Sequence, residues 1–349
     1  MLTVAAEPPP DGALDIERPE ALIAYLRSRG HIGADENPVV RVLPGGVSNR
    51  TVWVARPGGE DWVLKQALAK LRVAVDWFSG PDRILREALG IRYLATLAPP
   101  GSTVPLVFED AAQHLLAMRA VPQPHENFKA VLLEGRVEER HVRALGELAG
   151  TVHRRAFERR AELARVFDDR SFFESLRLEA YYGFAAERTP VAAPFLTALI
   201  DETRATRFTL VHGDFSPKNV LVYADRLVLL DHEVIHFGDG AFDVGFALAH
   251  LLSKAHHLPR LRHVFADAAV LFWRAYADAA GIDGWPGFEA RAARHGLGCL
   301  LARVDGRSPL EYLDDTERTR QRGAVLKILT GPGVPASIEA LAKRFLECL

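Results

Sequence analysis

With only two cysteines in 349 residues, Cys299 and Cys348, the chain has no means of building a disulfide framework. A reducing cytoplasm is the compartment this predicts, with both thiols as packing residues rather than ligands. No run of about 18 apolar residues occurs, so no transmembrane helix is expected. The opening Met-Leu-Thr-Val-Ala-Ala-Glu-Pro-Pro-Pro lacks a basic segment, and its apolar run is too short for a signal peptide. Net charge is scarce as well. The 43 Lys and Arg against 45 Asp and Glu leave −2, which gives no broad field to draw nucleic acid or an anionic membrane. No internal repeat and no low-complexity block beyond the N-terminal prolines interrupts the pattern. What the chain does have is apolar residues, 48% of the total, enough to form a core and to exclude global disorder.

Along the chain, the Pro-rich residues 1–13 are expected to be flexible, and residues 19–30 read as a short amphipathic helix. Residues 39–43, 51–55 and 62–66 read as three strands of a β-meander. Pro44-Gly45-Gly46-Val47-Ser48-Asn49 and Pro57-Gly58-Gly59 supply its turns. Helical spacing follows over 82–97, then strands over 104–109 and 114–119 and a linker at 121–124. Helices are predicted over 138–157, 172–187 and 194–206, strands over 209–212, 220–223 and 227–230, and helix again from about 242 onward. The expected fold is α+β: a small β-rich N-terminal lobe over 1–119 and a larger, mainly helical C-terminal lobe over 120–349.

The chemistry concentrates in His212-Gly213-Asp214-Phe215-Ser216-Pro217-Lys218-Asn219, a polar loop between two apolar strands. Asp214 and Asn219, five positions apart, can converge across the loop. A third apolar strand delivers Asp231 in Leu230-Asp231-His232-Glu233. Asp, Asn and Asp offer oxygen ligands, which suit hard Mg²⁺ better than zinc. They are the groups that magnesium-assisted phosphoryl transfer needs.

This pattern, with the continuation Gly238-Asp239-Gly240-Ala241-Phe242-Asp243, resembles the aminoglycoside phosphotransferase and choline kinase family, small-molecule relatives of protein kinases. Gly240 departs from it, since relatives commonly have proline there. The resemblance spans roughly residues 37–330 and implies a two-lobed protein-kinase-like fold that binds ATP and Mg²⁺. Lys65, at the end of the third strand, matches the lysine on the α- and β-phosphates, and Glu87, 22 residues on, its ion-pair partner. Gly46 and Ser48 fall where the phosphate-covering loop belongs, and the backbone near Met118 where adenine rests between the lobes. Asp214 is the implied base, and Asn219 and Asp231 the implied metal ligands. The implied partner is a small-molecule hydroxyl acceptor, not nucleic acid or membrane.

Single residues also allow blander readings. Asp214 alone is as readily a loop cap. His212 reads as structural and Asp243 as a brace for the loop. Lys218 reaches phosphate or is merely solvated. Glu233 and Asp239 serve a second metal, the substrate or the loop itself. Arg83 and Arg86 are expected to face solvent, and His250, His256, His257 and His263 to fill packing and surface roles. Asp305 and Arg307 either face the acceptor or lie in a surface turn. The late acidic residues are interleaved with arginines and do not favour a polycationic acceptor. The rival function is a nucleotide-binding pseudokinase that regulates a partner, but no base or metal ligand is missing from the pattern.

Overall fold

A computed structural model of the chain describes residues 14–44, 46–72, 77–331 and 333–349; the proline-rich start and Gly45 lie outside the described residues. Among the described residues no helix is long and apolar enough to cross a membrane. The chain divides into two compact units. One comprises residues up to 95 together with 103–123, the other 96–102 and 124–349.

In the first unit, strands β1 (Val39–Val42), β2 (Asn49–Ala55), β3 (Trp62–Ala67), β4 (Leu106–Asp110) and β5 (Leu115–Arg119) form one antiparallel sheet in the order β1-β2-β3-β5-β4. Alternation along β2 buries Val52 and Val54 while Trp53 stays partly exposed beneath the Arg41 guanidinium. Helix α1 (Pro19–Ser28) adds Leu22 and Leu26 to this core, with Leu64, Leu115 and Ala117 beneath them. Proline at its N-terminus costs no hydrogen bond, because that first amide has no intrahelical partner. Helix α2 (Arg83–Leu97) begins in this unit, and its last residues belong to the second.

Arg83 overturns the expectation of a solvent-facing arginine, for it is completely buried. Its guanidinium donates to the carbonyls of Ser48, Leu68 (2.8 Å), Ser79 (3.1 Å) and Gly80 (3.1 Å). Backbone acceptors in irregular chain need donors when buried, and one five-donor fork satisfies four of them.

The second unit holds α3 (Phe128–Leu133), α4 (Glu139–Glu158), α5 (Arg160–Val166), α6 (Ser171–Phe173), α7 (Phe184–Arg188) and α8 (Ala193–Ala205). Helices α9 (Ala241–His257), α10 (Arg262–Ala280), α11 (Phe288–Asp305), α12 (Asp315–Thr330) and α13 (Ile338–Cys348) complete its helical part. Short strands β6 (Glu126–Asn127), β8 (Val220–Tyr223) and β9 (Arg226–Leu229) pair in the order β6-β8-β9, and β7 (Thr209–Val211) pairs with β10 (His236–Gly238). Helix α9 is buried from Ala241 to His256, as its almost unbroken apolar sequence requires of a central helix.

Helices α4 and α10 touch backbone to backbone. A Cβ on Gly146 would lie 2.4 Å from the Phe272 carbonyl, and one on Gly150 2.5 Å from that of Tyr276. The regular helix expected over 172–187 is interrupted instead: Glu174–Gly183 is π-helical between α6 and α7. Such wide turns re-aim side chains and recur at functional sites. Asp305 also departs from the surface turn, since it is buried with Arg303 on the last turn of α11, while Arg307 just beyond is half-buried. Asp305 is held by Arg322 and by the Thr189 hydroxyl (2.7 Å).

Candidate active site

In the first unit, Lys65 on β3 and Glu87 on α2 meet at 2.6 Å, with the Glu87 carboxylate completely buried. Strand β3 lies inside the sheet between β2 and β5, so Lys65 projects from a fixed backbone. Ser48 precedes β2. Its carbonyl accepts from Arg83 and from the Leu68 amide (3.0 Å), so the loop that carries Gly46 and Ser48 is tied down on one side. A Cβ on Gly46 would approach the Asn49 carbonyl to 3.1 Å, tight enough to favour glycine. Met118 is buried in β5 opposite Val63 and Leu106, and just beyond the strand the Ala120 amide donates to Asp61.

In the second unit, β7 ends at Val211 and the polar loop follows at once. Gly213 has φ +77°, and a Cβ there would lie 2.9 Å from Val234, so the position needs glycine on both counts. Asp243 braces this loop as expected, accepting from the amides of His212 (2.7 Å) and Gly213 (2.8 Å) and meeting His153 at 3.2 Å. Burial pushes the His212 imidazole below its usual pKa. Its Nδ1 accepts from the Asp214 amide at 3.2 Å, and Nε2 meets the Leu230 carbonyl at 3.1 Å. These contacts give His212 a structural job.

Asp214 is only partly buried. Its Oδ2 accepts from Asn219 Nδ2 (2.8 Å) and pairs with Arg177 (2.9 Å), whose Nε donates to the Gly213 carbonyl (2.8 Å). Oδ1 accepts no hydrogen bond among the described residues. Burial alone would lower the Arg177 pKa, but the Asp214 carboxylate beside it raises it instead. Arg177 comes from the π-helical segment, and the sequence reading did not single it out.

The pairing of Val220 with Leu229 and the Leu230 amide donating to the Asn219 carbonyl (2.9 Å) put Asn219 and Asp231 at the same end of the β8–β9 hairpin. Asn219 uses its amide nitrogen on Asp214, which leaves its Oδ1 as an acceptor. Asp231 sits at φ +69°, a left-handed conformation that Asp tolerates better than most residues. An amide oxygen and a carboxylate, both oxygen donors, fit magnesium. Asp239 does not join them, because its carboxylate is paired with Arg291 at 2.7 Å and caps the Ala241 amide.

A model of the phosphotransferase enzyme family matches residues 39–290. No curated protein matches the chain. Among solved structures, the macrolide 2′-phosphotransferase MphH of Brachybacterium faecium is 20% identical, covering 88% of this chain and 98% of its own, with a TM-score of 0.53. The amicoumacin kinase hAmiN is 16% identical over 90% of this chain and 94% of its own (TM-score 0.57). Choline kinase LicA of Streptococcus pneumoniae is 14% identical over 94% and 97% (TM-score 0.50). At these identities the likeness is one of fold.

Proposed function

Because the chain belongs to the phosphotransferase enzyme family, we propose that it transfers the γ-phosphoryl group of ATP to a hydroxyl of a small molecule, with Asp214 as the base. The observation that carries this reading is the asymmetry of the Asp214 carboxylate. Oδ2 is fixed by Arg177 and Asn219, while Oδ1 accepts no hydrogen bond among the described residues. Oδ1 therefore orients the acceptor hydroxyl and takes its proton. In a loose transition state such positioning matters at least as much as basicity.

Lys65, held by Glu87, steadies the α- and β-phosphates. The loop at Gly46 and Ser48 presents backbone and hydroxyl groups to phosphate oxygens, and Met118 borders the adenine. Asn219 and Asp231 supply oxygen ligands. Magnesium bound there would offset phosphate charge.

ADP release from Mg-ATP, followed across a panel of small alcohols, tests the reading. An acceptor-dependent rate supports it. ATP binding without acceptor-stimulated release for any alcohol would instead mark a nucleotide-binding regulatory protein. The lysine role has its own check. Lys65→Met removes the 2.6 Å ion-pair partner of the buried Glu87 carboxylate and is expected to cost about 3 kcal/mol in denaturant unfolding. The double variant Lys65→Met/Glu87→Leu should regain most of that stability and none of the ADP release. Recovery of turnover in the double variant would make the pair purely structural.

A further inference from the structure

We propose that the acceptor is an anion, a small molecule with its reactive hydroxyl at Asp214 and a carboxylate or phosphate group held by Arg303, Lys254 and Lys129. This deepens the phosphotransferase reading and rests on Asp214 being its base. All of these residues belong to the second unit.

The cations follow one another outward from Asp214. Arg177, the ion-pair partner of Asp214, lies over the Tyr181 ring at 5.4 Å. Arg303 lies over the same ring at 5.6 Å, and its Nη1 donates to the Tyr181 hydroxyl at 3.1 Å and to the carbonyl and hydroxyl (3.2 Å) of Ser308. Lys254 is fully buried one helix away on α9, 5.3 Å from the Tyr312 ring, and among the described residues donates only to the His250 carbonyl of its own helix (3.2 Å). Lys129, at the start of α3, and Lys218, in the catalytic loop, join Arg303 and Lys254 in acting on buried His250. Burial first and then these four cations hold that imidazole well below its usual pKa.

Two carboxylates balance part of this charge, since Asp214 pairs with Arg177 and Glu311 with Lys129. Among the described residues no carboxylate lies within ion-pair distance of Arg303 or Lys254. Burial, followed by the charge of Lys129 and only partly opposed by Glu311, pushes the Lys254 ammonium down to about 7. Four buried polar atoms among and beside these cations also lack hydrogen-bond partners among the described residues: both ring nitrogens of His250, Arg303 Nε and the Tyr312 hydroxyl.

Unpaired buried cations and unsatisfied donors are costly unless something answers them. An anionic group on the acceptor answers both, whereas a cationic group would add like charge beside Arg303 and Lys254. In the transfer itself the acceptor oxygen bonds to the γ-phosphorus, and the bond from that phosphorus to the β,γ-bridging oxygen breaks. The electron pair leaves with ADP, the hydroxyl proton passes to Asp214, and the anionic group is unchanged.

Four matched probes test this on the full chain by calorimetric titration without ATP: 4-hydroxybutyrate, 4-hydroxybutyl phosphate, 1,4-butanediol and 4-amino-1-butanol. One of the two anions is expected to bind at least about tenfold more tightly than the diol and the amino alcohol, and the better anion identifies the group. Arg303→Gln should remove that preference, bringing the better anion down to the affinity of the diol. Lys129→Gln, at a partly exposed side chain, should reduce it in a protein that keeps its melting temperature. Equal or tighter binding of the amino alcohol, no measurable binding of either anion, or a preference untouched by both variants overturns the proposal. Binding is measured apart from turnover, so the two readings can fail separately. An Arg303-dependent anion preference with no ADP release for any acceptor leaves the anion site standing and removes the phosphotransferase role. Release with the diol or amino alcohol and no anion preference does the reverse.

Discussion

Asp214→Asn is expected to lower kcat by about a thousandfold while moving KM for ATP by no more than about twofold. Asparagine keeps the volume and one acceptor oxygen, so either Arg177 or the acceptor hydroxyl can still be met, but not both. Its amide nitrogen must then face the donors of Arg177 and Asn219 or the hydroxyl that needs an acceptor. In either orientation the carboxylate proposed to take the proton is gone. Arg177→Ala is a graded comparison, because Asp214 keeps the Asn219 bond at 2.8 Å while the Gly213 carbonyl loses a donor. A loss of about ten- to a hundredfold in kcat is expected there, smaller than for Asp214→Asn because the carboxylate itself survives. Steady-state kinetics with nucleotide titration separates the outcomes. If ATP affinity falls together with turnover in Asp214→Asn, the residue serves the nucleotide and not the acceptor.

The parts of this site that the sequence made legible are those that are local along the chain. The loop from His212 to Asn219 is bounded by two apolar strands, and the β8–β9 hairpin brings Asp231 to the same end through the register Val220–Leu229. Asp243 was readable as a brace because the loop amides of His212 and Gly213 need an acceptor. Arg177 was not readable. It lies 214 − 177 = 37 residues upstream, in a segment whose apolar spacing suggests an ordinary α-helix. Only its π-helical winding and a long-range contact reveal its role. Arg83 misled for a related reason. Beside Arg86 on a helix it reads as a solvated face, but two of the carbonyls it satisfies, those of Ser48 and Leu68, lie 35 and 15 residues away in the chain. Gly146 and Gly150 have a visible four-residue spacing, yet nothing local says that α10 packs against it. Charge and small size in a sequence state what a residue can satisfy, and the distant partner decides whether it does.

Asp243→Asn is expected to cost the second unit about 3 kcal/mol in denaturant unfolding and to lower kcat in the protein that remains folded. The carboxylate accepts two backbone amides, from His212 and Gly213, and meets His153 at 3.2 Å, all of it buried. An asparagine amide would turn a donor toward at least one of these donors, leaving a buried N–H without a partner. Burial alone would raise the Asp243 pKa, but the His153 contact, the charges of His153 and His212 and the His212 amide outweigh it, and the folded carboxyl lies below its ordinary value. A folded pKa below the unfolded one stabilises the native state above the unfolded carboxylate value of about 3.9. That contribution is lost as pH falls from there through the folded pKa. The stability gap between wild type and Asp243→Asn should therefore be widest near neutral pH and narrow as pH drops below about 4. Unfolding curves at a series of pH values measure this directly. A gap that stays constant into acid would mean that the aspartate acts through its shape and not its charge. A fall in kcat without any loss of stability would detach Asp243 from the brace and assign it to the reaction itself.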